Sequence, residues 1–264
     1  MANNYVVSKG EMYFAPFKPG TQIPRGERKI GNSPEFNMTI ESEELDHFSS
    51  EKGIREKDDS MTLEVTRTGS LITDNIVPEN IALFFFGTSE NLSITGATVT
   101  AEAIADVELG NTYQLGATLA LPSGARALDI HTVGPPAKKV IVKKASTEMV
   151  EGVDYTIDMD LARLTILAGG TLVEGDDITV DYKTKTQTRS RVISGSSALE
   201  GSLRFISYAP KGVKRDVFMP WVKLTPNGEI SFIGEEWQQL PFNIEALRKT
   251  GYEAIYADGR AVTA

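Results

Sequence analysis

The chain of 264 residues contains no cysteine, and only two histidines and two tryptophans. Without cysteine there is no disulfide framework, no thiolate nucleophile and no cysteine-ligated metal, so folding in a reducing cytoplasm is expected. His47 and His131 stand at no metal-ligand spacing from another candidate, which removes the usual basis for a histidine-centred active site. Also missing are a Gly-rich phosphate loop followed by Lys and Ser/Thr, and a Gly-x-Ser-x-Gly elbow. No enzymatic activity and no cofactor are therefore expected. The segment Met1 to Gly10 lacks the basic stretch and the apolar run of about 7–15 residues that mark a secretory signal. Ile81 to Phe86, the longest strongly apolar run, is far short of the roughly 20 residues that span a bilayer, so a soluble chain without a membrane partner is expected. Positive charge is scarce as well. A net charge of −9 argues against tight binding to a phosphate backbone, which needs clustered Lys and Arg.

What is present has a globular balance, 41% apolar and 24% charged, far from the signature of disorder. Most segments alternate apolar and polar residues between Gly, Pro, Asn or Asp, the pattern of short antiparallel strands with one buried face. Phe36, Met38 and Ile40 point one way while Asn37, Thr39 and Glu41 point the other, and Met61 to Arg67 repeats the pattern. Between these two paired strands the sequence predicts a long exposed loop. Its core is Ser49, Ser50, Glu51, Lys52, Gly53, Ile54, Arg55, Glu56, Lys57, Asp58, Asp59 and Ser60, which has no apolar periodicity. A loop of that length is either functional or disordered. It reads as solvated in an isolated subunit and as a contact within an assembly.

One helix is predicted from about Val77 to Phe86, with Thr73 and Asp74 offering capping oxygens, Pro78 in the first turn and Gly87 closing it. Ile81, Leu83, Phe84, Phe85 and Phe86 make it apolar on most sides. Past Gly87 the texture shifts: Thr88 to Thr188 has neither phenylalanine nor tryptophan and reads as a separate β unit. Strands are predicted at 139–143, 155–158, 163–167 and 177–182, with 183–191 as a return connection or exposed strand. Larger apolar alternation resumes at 203–208, 213–224, 229–233 and 239–248, with Asn227-Gly228 as a hairpin turn. The expected fold is mainly β, an antiparallel β-barrel or sandwich flanked by one α-helix. Residues 1–88 and 189–264 form its discontinuous core, with a small β domain, 89–188, inserted.

Remaining candidates for chemistry each have a plainer reading. Asp154, Asp158 and Asp160 lack the order of a calcium loop. Glu235-Glu236 and Asp58-Asp59 are adjacent carboxylates of the kind that turns leave solvated, and general acid-base work needs a particular separation and a raised pKa. Trp221 and Trp237 are expected to anchor the core, the other reading being a sugar-stacking platform.

Gly31-Asn-Ser-Pro-Glu-Phe-Asn-Met-Thr-Ile-Glu, the charged loop, and Asp74-Asn-Ile-Val-Pro-Glu-Asn-Ile-Ala-Leu-Phe-Phe-Phe-Gly together resemble the front half of the major tail tube proteins of tailed bacteriophages. The stretch from Val217-Phe-Met-Pro-Trp to Gln239-Leu-Pro-Phe is similar to that family's last strands. Glu151-Gly-Val-Asp-Tyr-Thr-Ile-Asp and Leu164-Thr-Ile-Leu-Ala-Gly-Gly resemble β insertions found in some members. The resemblance implies a structural virion protein, six subunits to a ring and rings stacked into a hollow tube around a tape-measure protein. Tail terminator and baseplate or distal tail proteins would be further partners, and DNA would pass without specific binding. It further implies assembly in the host bacterial cytoplasm, residence in the virion tail, strands pairing across subunit edges, the 49–60 loop reaching an adjacent subunit or ring, and Glu41, Glu43 and Glu64 facing the bore. The alternatives are another β-rich virion component, such as a tail terminator, decoration or fibre module, and a carbohydrate-binding β-sandwich using Trp221 and Trp237.

Overall fold

The computed structural model describes residues 5–51, 53–133 and 135–261. The chain opens with β1 (Gly10–Pro16), β2 (Arg28–Gly31), β3 (Glu35–Ser49), β4 (Glu56–Thr73) and the short helix α1 (Pro78–Phe84). It continues through β5 (Thr88–Ile94), β6 (Thr98–Val107), β7 (Thr112–Gln114), β8 (Leu128–Asp129), β9 (Ile141–Lys144), β10 (Thr147–Glu148), β11 (Tyr155–Asp158), β12 (Arg163–Ile166) and β13 (Asp176–Thr184). It ends with β14 (Gln187–Ile193), β15 (Leu199–Ser207), β16 (Arg215–Pro226), β17 (Leu240–Ala246) and β18 (Tyr256–Gly259). Two compact units result, one from 1–90 with 191–264 and the other from 91–190. The chain is thus mainly β and antiparallel, with one helix and an inserted β unit.

In the first unit the sheet runs β2-β1-β15-β16-β17-β4-β3, with β18 also paired to β16. Ring contact between Phe36 and Phe205, with centroids 5.8 Å apart, curls it on itself. No ladder joins β2 to β3, so the sheet is open and sandwich-like, and the barrel alternative does not hold. Alternation builds its core: Leu240, Phe242, Ile244 and Ala246 of β17 are buried, as are Met219, Val222 and Leu224 of β16. Helix α1 packs on β16 and β17, placing Phe84 edge-on to Phe242 with centroids 5.9 Å apart.

The helix is shorter than predicted, and its start is different. Thr73 Oγ1 donates to Asn32 O at 2.8 Å, and Asp74 Oδ2 accepts from Asn32 Nδ2 at 2.6 Å, so both expected caps are spent on the β2–β3 connection. Extended Val77 begins the helix without a side-chain cap, and Gly87 N–H closes it onto Ala82 O. Fully buried Asn80, not flagged in the sequence, ties this corner together. Its Nδ2 donates to Ile30 O and Asn75 O, and its Oδ1 accepts from Arg28 Nη2, each at 2.7 Å.

Two further expectations fail for one reason. A hairpin turn at Asn227-Gly228 would lay residues 229–233 along β16, but those positions are taken: Val222 to Pro226 pair with Ala246 to Phe242. The β17 sequence buries four apolar side chains there, whereas Phe232 and Ile233 remain exposed. Residues 227–239 are therefore a connection without a strand, although Gly228 does adopt a positive φ. Trp237 lies on it at 92% exposure and anchors nothing, while half-buried Trp221 donates from Nε1 to Glu200 at 3.1 Å.

In the inserted unit, β10-β9-β13-β6 with β8 on β13, and β11-β12-β7, enclose a separate core that includes Val107, Leu115, Leu164, Ile178 and Tyr182. Asp154 and Asp158 serve turns here. Asp154 accepts N–H groups of Val150 and Thr171, and Asp158 those of Asp160 and Leu161. The chain passes to and from this unit through β5 and β14, which pair as a two-stranded ribbon.

Candidate functional site

Half of the predicted 49–60 loop is strand. Ser49 ends β3 and Glu56 to Ser60 begin β4, leaving a turn at 50–55, of which Lys52 lies outside the described residues. Continuous pairing from Glu35↔Ile72 to Ser49↔Glu56 overrides the missing apolar period, because a hairpin ladder needs only backbone groups and no Pro interrupts either side. Of 15 residues in β3 and 18 in β4, only Thr68 to Thr73 have a second neighbour, β17. Beyond that point the hairpin is a bare ribbon, an arm of roughly 30 Å at about 3.3 Å per residue. Both of its edges carry unpaired backbone groups.

Register decides what each face of the arm presents, since directly opposed residues share a face. Glu43 stands opposite Glu64, and Glu41, two residues away, lies on the same face. The three acids nominated from sequence are therefore brought together, all exposed. Farther out on that face, Leu45 opposes Met61, 56% and 60% exposed. The other face carries Ile40 and Ser42 opposite Arg67 and Val65, then Glu44, Asp46 and Phe48. Lys57 Nζ lies 2.6 Å from Asp46 and 3.9 Å from Glu44, and the Asp46 hydrogen bond holds the ammonium pKa above its ordinary value. Arg55 sits 4.1 Å over the Phe48 ring, stiffening the tip. His47 Nδ1 lies 2.5 Å from Asp58, with Asp59 directly opposite His47. Bulges between Glu43 and Glu44 and between His47 and Phe48 twist the ribbon.

Sequence reasoning found the charges of the arm, but it read Ile40 and the Met61 to Arg67 strand as having a buried face and passed over Leu45 and Phe48. Ile40, Leu45, Phe48, Ile54, Met61, Leu63 and Val65 are all exposed. The available signal was the run from Glu41 to Glu51 without Gly, Pro or Asn to break a strand. Among the described residues no group of three His, Asp or Glu is placed to hold a metal ion. The cleft that Trp237 lines with Glu235 and Glu236 does not include Trp221, so the two tryptophans form no shared platform. No helix among the described residues is long and apolar enough to cross a membrane.

Residues 5–254 match the model of a family described as "Protein of unknown function UCP028589". A comparison with curated proteins finds no match.

Proposed function

We propose that the chain, which belongs to this family, is the repeating subunit of a tailed-phage tail tube. Copies close edge to edge into hexameric rings, and the rings stack into a hollow conduit. The observation that carries this reading is the β3–β4 arm. A lone two-stranded ribbon in water is marginal, yet this one exposes Ile40, Leu45, Met61 and Val65 along with two unpaired edges. In a ring of identical subunits each arm lies on its neighbour, which covers these apolar side chains and continues the sheet from subunit to subunit. The tip, residues 50–55, reaches the adjacent subunit or ring.

The acidic face fits the same arrangement. With Glu41, Glu43 and Glu64 turned to the bore, like charge faces phosphate, and DNA slides through without adhering. A tape-measure protein fills the bore during assembly in the host cytoplasm, terminator and distal tail proteins cap the ends, and the inserted unit lies on the outer surface of the virion tail. No catalysis is required.

The test is assembly. Concentrated protein, alone or coexpressed with a tape-measure partner, is expected to give six-fold rings and hollow rods by negative-stain microscopy. A trimmed variant joins Glu43 to Glu64 through Asn-Gly, a two-residue turn suited to directly opposed residues. It should remain folded and form neither. A wild-type chain that persists as a monomer or trimer, or a trimmed chain that builds normal tubes, would refute the proposal.

A further inference from the structure

The 12-residue strand β16 ends in two exposed segments of opposite charge. Past Pro226, residues 227–239 carry Glu229, Glu235 and Glu236 and expose Phe232, Ile233 and Trp237, at 74%, 95% and 92%. The segment is folded back on itself, with Gln238 Nε2 donating to Ser231 O at 2.5 Å and Ser231 Oγ to Ile233 O at 2.8 Å. Trp237 and the three glutamates line a cleft of about 530 Å³. At the other end, the connection that precedes Arg215 carries Lys211 and Lys214. Val7 N–H donates to Lys211 O at 3.1 Å, which brings Val6, Val7 and Lys9 to the same end. Val6, Val213 and Arg215 line a smaller cleft there, about 220 Å³. Among the described residues, the ion pairs all join other side chains, and none of these four cations or three carboxylates has a charged partner there.

We propose that the 227–239 segment of one copy seats on the Lys211–Arg215 end of the next copy, head to tail. The inference rests on the tube reading and names the contact that stacks its rings. Three observations support a second copy as the occupant. Charge is complementary, three glutamates against Lys9, Lys211, Lys214 and Arg215, while like ends repel and oppose a head-to-head pair. Both ends leave apolar side chains exposed, Phe232, Ile233 and Trp237 largely on one and Val6, Val7 and Val213 by about half on the other. The two surfaces also terminate the same strand, roughly 40 Å apart at about 3.3 Å per residue. A contact between opposite ends of one strand is heterologous, so it joins each copy to a further one and extends a stack wherever its rotation does not close a ring. Lys18 and Arg25 belong to the separate β1–β2 connection, two strands away from β16.

The experiment is a charge swap in the full chain, read by sedimentation velocity and negative-stain microscopy, with thermal melts to establish folding. Glu235→Lys with Glu236→Lys, and Lys211→Glu with Lys214→Glu, should each form rings but raise the concentration needed for rods by about tenfold or more. Mixing the two variants one to one should restore rods, because the introduced lysines then face the introduced glutamates while the native glutamates face the native cations. A chain carrying all four substitutions should also assemble alone. Rods from either single-ended variant at the wild-type concentration, or a mixture of folded variants that does not recover, would overturn this contact and leave the tube reading standing. A wild-type chain that forms no assembly would overturn both.

Discussion

Replacing Leu45 and Met61 together by threonine separates folding from assembly. The two side chains face each other across the arm and are 56% and 60% exposed in the single chain. Fully burying such a side chain is worth about 1.5–3 kcal/mol, so the exposed share leaves about 1–1.7 kcal/mol each to be gained against a neighbour. Threonine keeps a methyl group and a strong strand preference, which lowers the loss and preserves the ribbon. The pair should therefore weaken association by about 10–100-fold per arm contact, at 1.4 kcal/mol for each factor of ten. Folding should barely register the change, within the roughly 0.5 kcal/mol usual for exposed positions. Light scattering against protein concentration gives the assembly threshold, and a thermal melt of the dilute chain gives stability. An unchanged threshold with a native melt would refute the claim that a neighbouring copy covers this outer part of the arm, beyond the acids that face the bore.

Asn80→Ala removes the partner of Asn75 O and of Arg28, while Ile30 O keeps the Asn75 side chain, so a loss of roughly 1–3 kcal/mol is expected in urea unfolding. Gly69→Val at the root of the arm would place a Cβ 2.3 Å from Asn37 O and 2.6 Å from Met38 Sδ. The ladder should open there, with faster amide exchange at residues 36–40 and a cost of roughly 1–3 kcal/mol; unchanged protection would contradict the register. Three carboxyls of the inserted unit, those of Asp154, Asp176 and Asp181, lie below the usual aspartate range, Asp176 chiefly through the Lys144 hydrogen bond. For Asp154 burial opposes ionisation but the N–H groups of Val150 and Thr171 outweigh it, and for Asp181 the Lys143 hydrogen bond acts first, then the Ala101 N–H. A depressed folded-state pKa gives stability that is in place above the unfolded value, about 3.9, and is lost as pH falls through the folded value. Melting of this unit should drop below about pH 4, and Asp181→Asn should flatten that acid limb while lowering stability at neutral pH; an acid limb identical to wild type would count against the pairing.

Much of the fold was legible because alternation reports burial directly. Phe36 to Glu41, Tyr155 to Asp158 and Arg163 to Ile166 are strands where the pattern placed them. The change of texture past Gly87 reflects two separate cores, one containing Phe14, Phe84 and Phe242, the other none. Failures cluster where backbone pairing, not burial, decides. Glu44 to Ser49 and Glu56 to Ser60 carry no apolar period because neither face of the arm is covered in the single chain, so the ladder left no burial pattern in the sequence, only an unbroken run without Gly, Pro or Asn. Asn227-Gly228 has the right residues for a tight turn, yet a better-packing strand holds the positions it would have used. Thr73 and Asp74 had the chemistry of helix caps but were committed to Asn32 across the sheet, a contact sequence spacing does not reveal. The acids at 41, 43 and 64 could be named from sequence, whereas their common face depended on the register.

The ribbon of β5 and β14 makes the inserted unit exchangeable. Its two connections to the core are hydrogen-bonded neighbours, about 4.8 Å apart. A short turn can close that gap after excision, and any polypeptide whose ends lie side by side can be grafted in place without stretching the sheet that holds Met12, Phe242 and their neighbours. Such a junction lets a lineage gain, lose or swap an appendage while its core stays under separate constraint, and it offers the protein engineer a ready mount for displaying foreign domains.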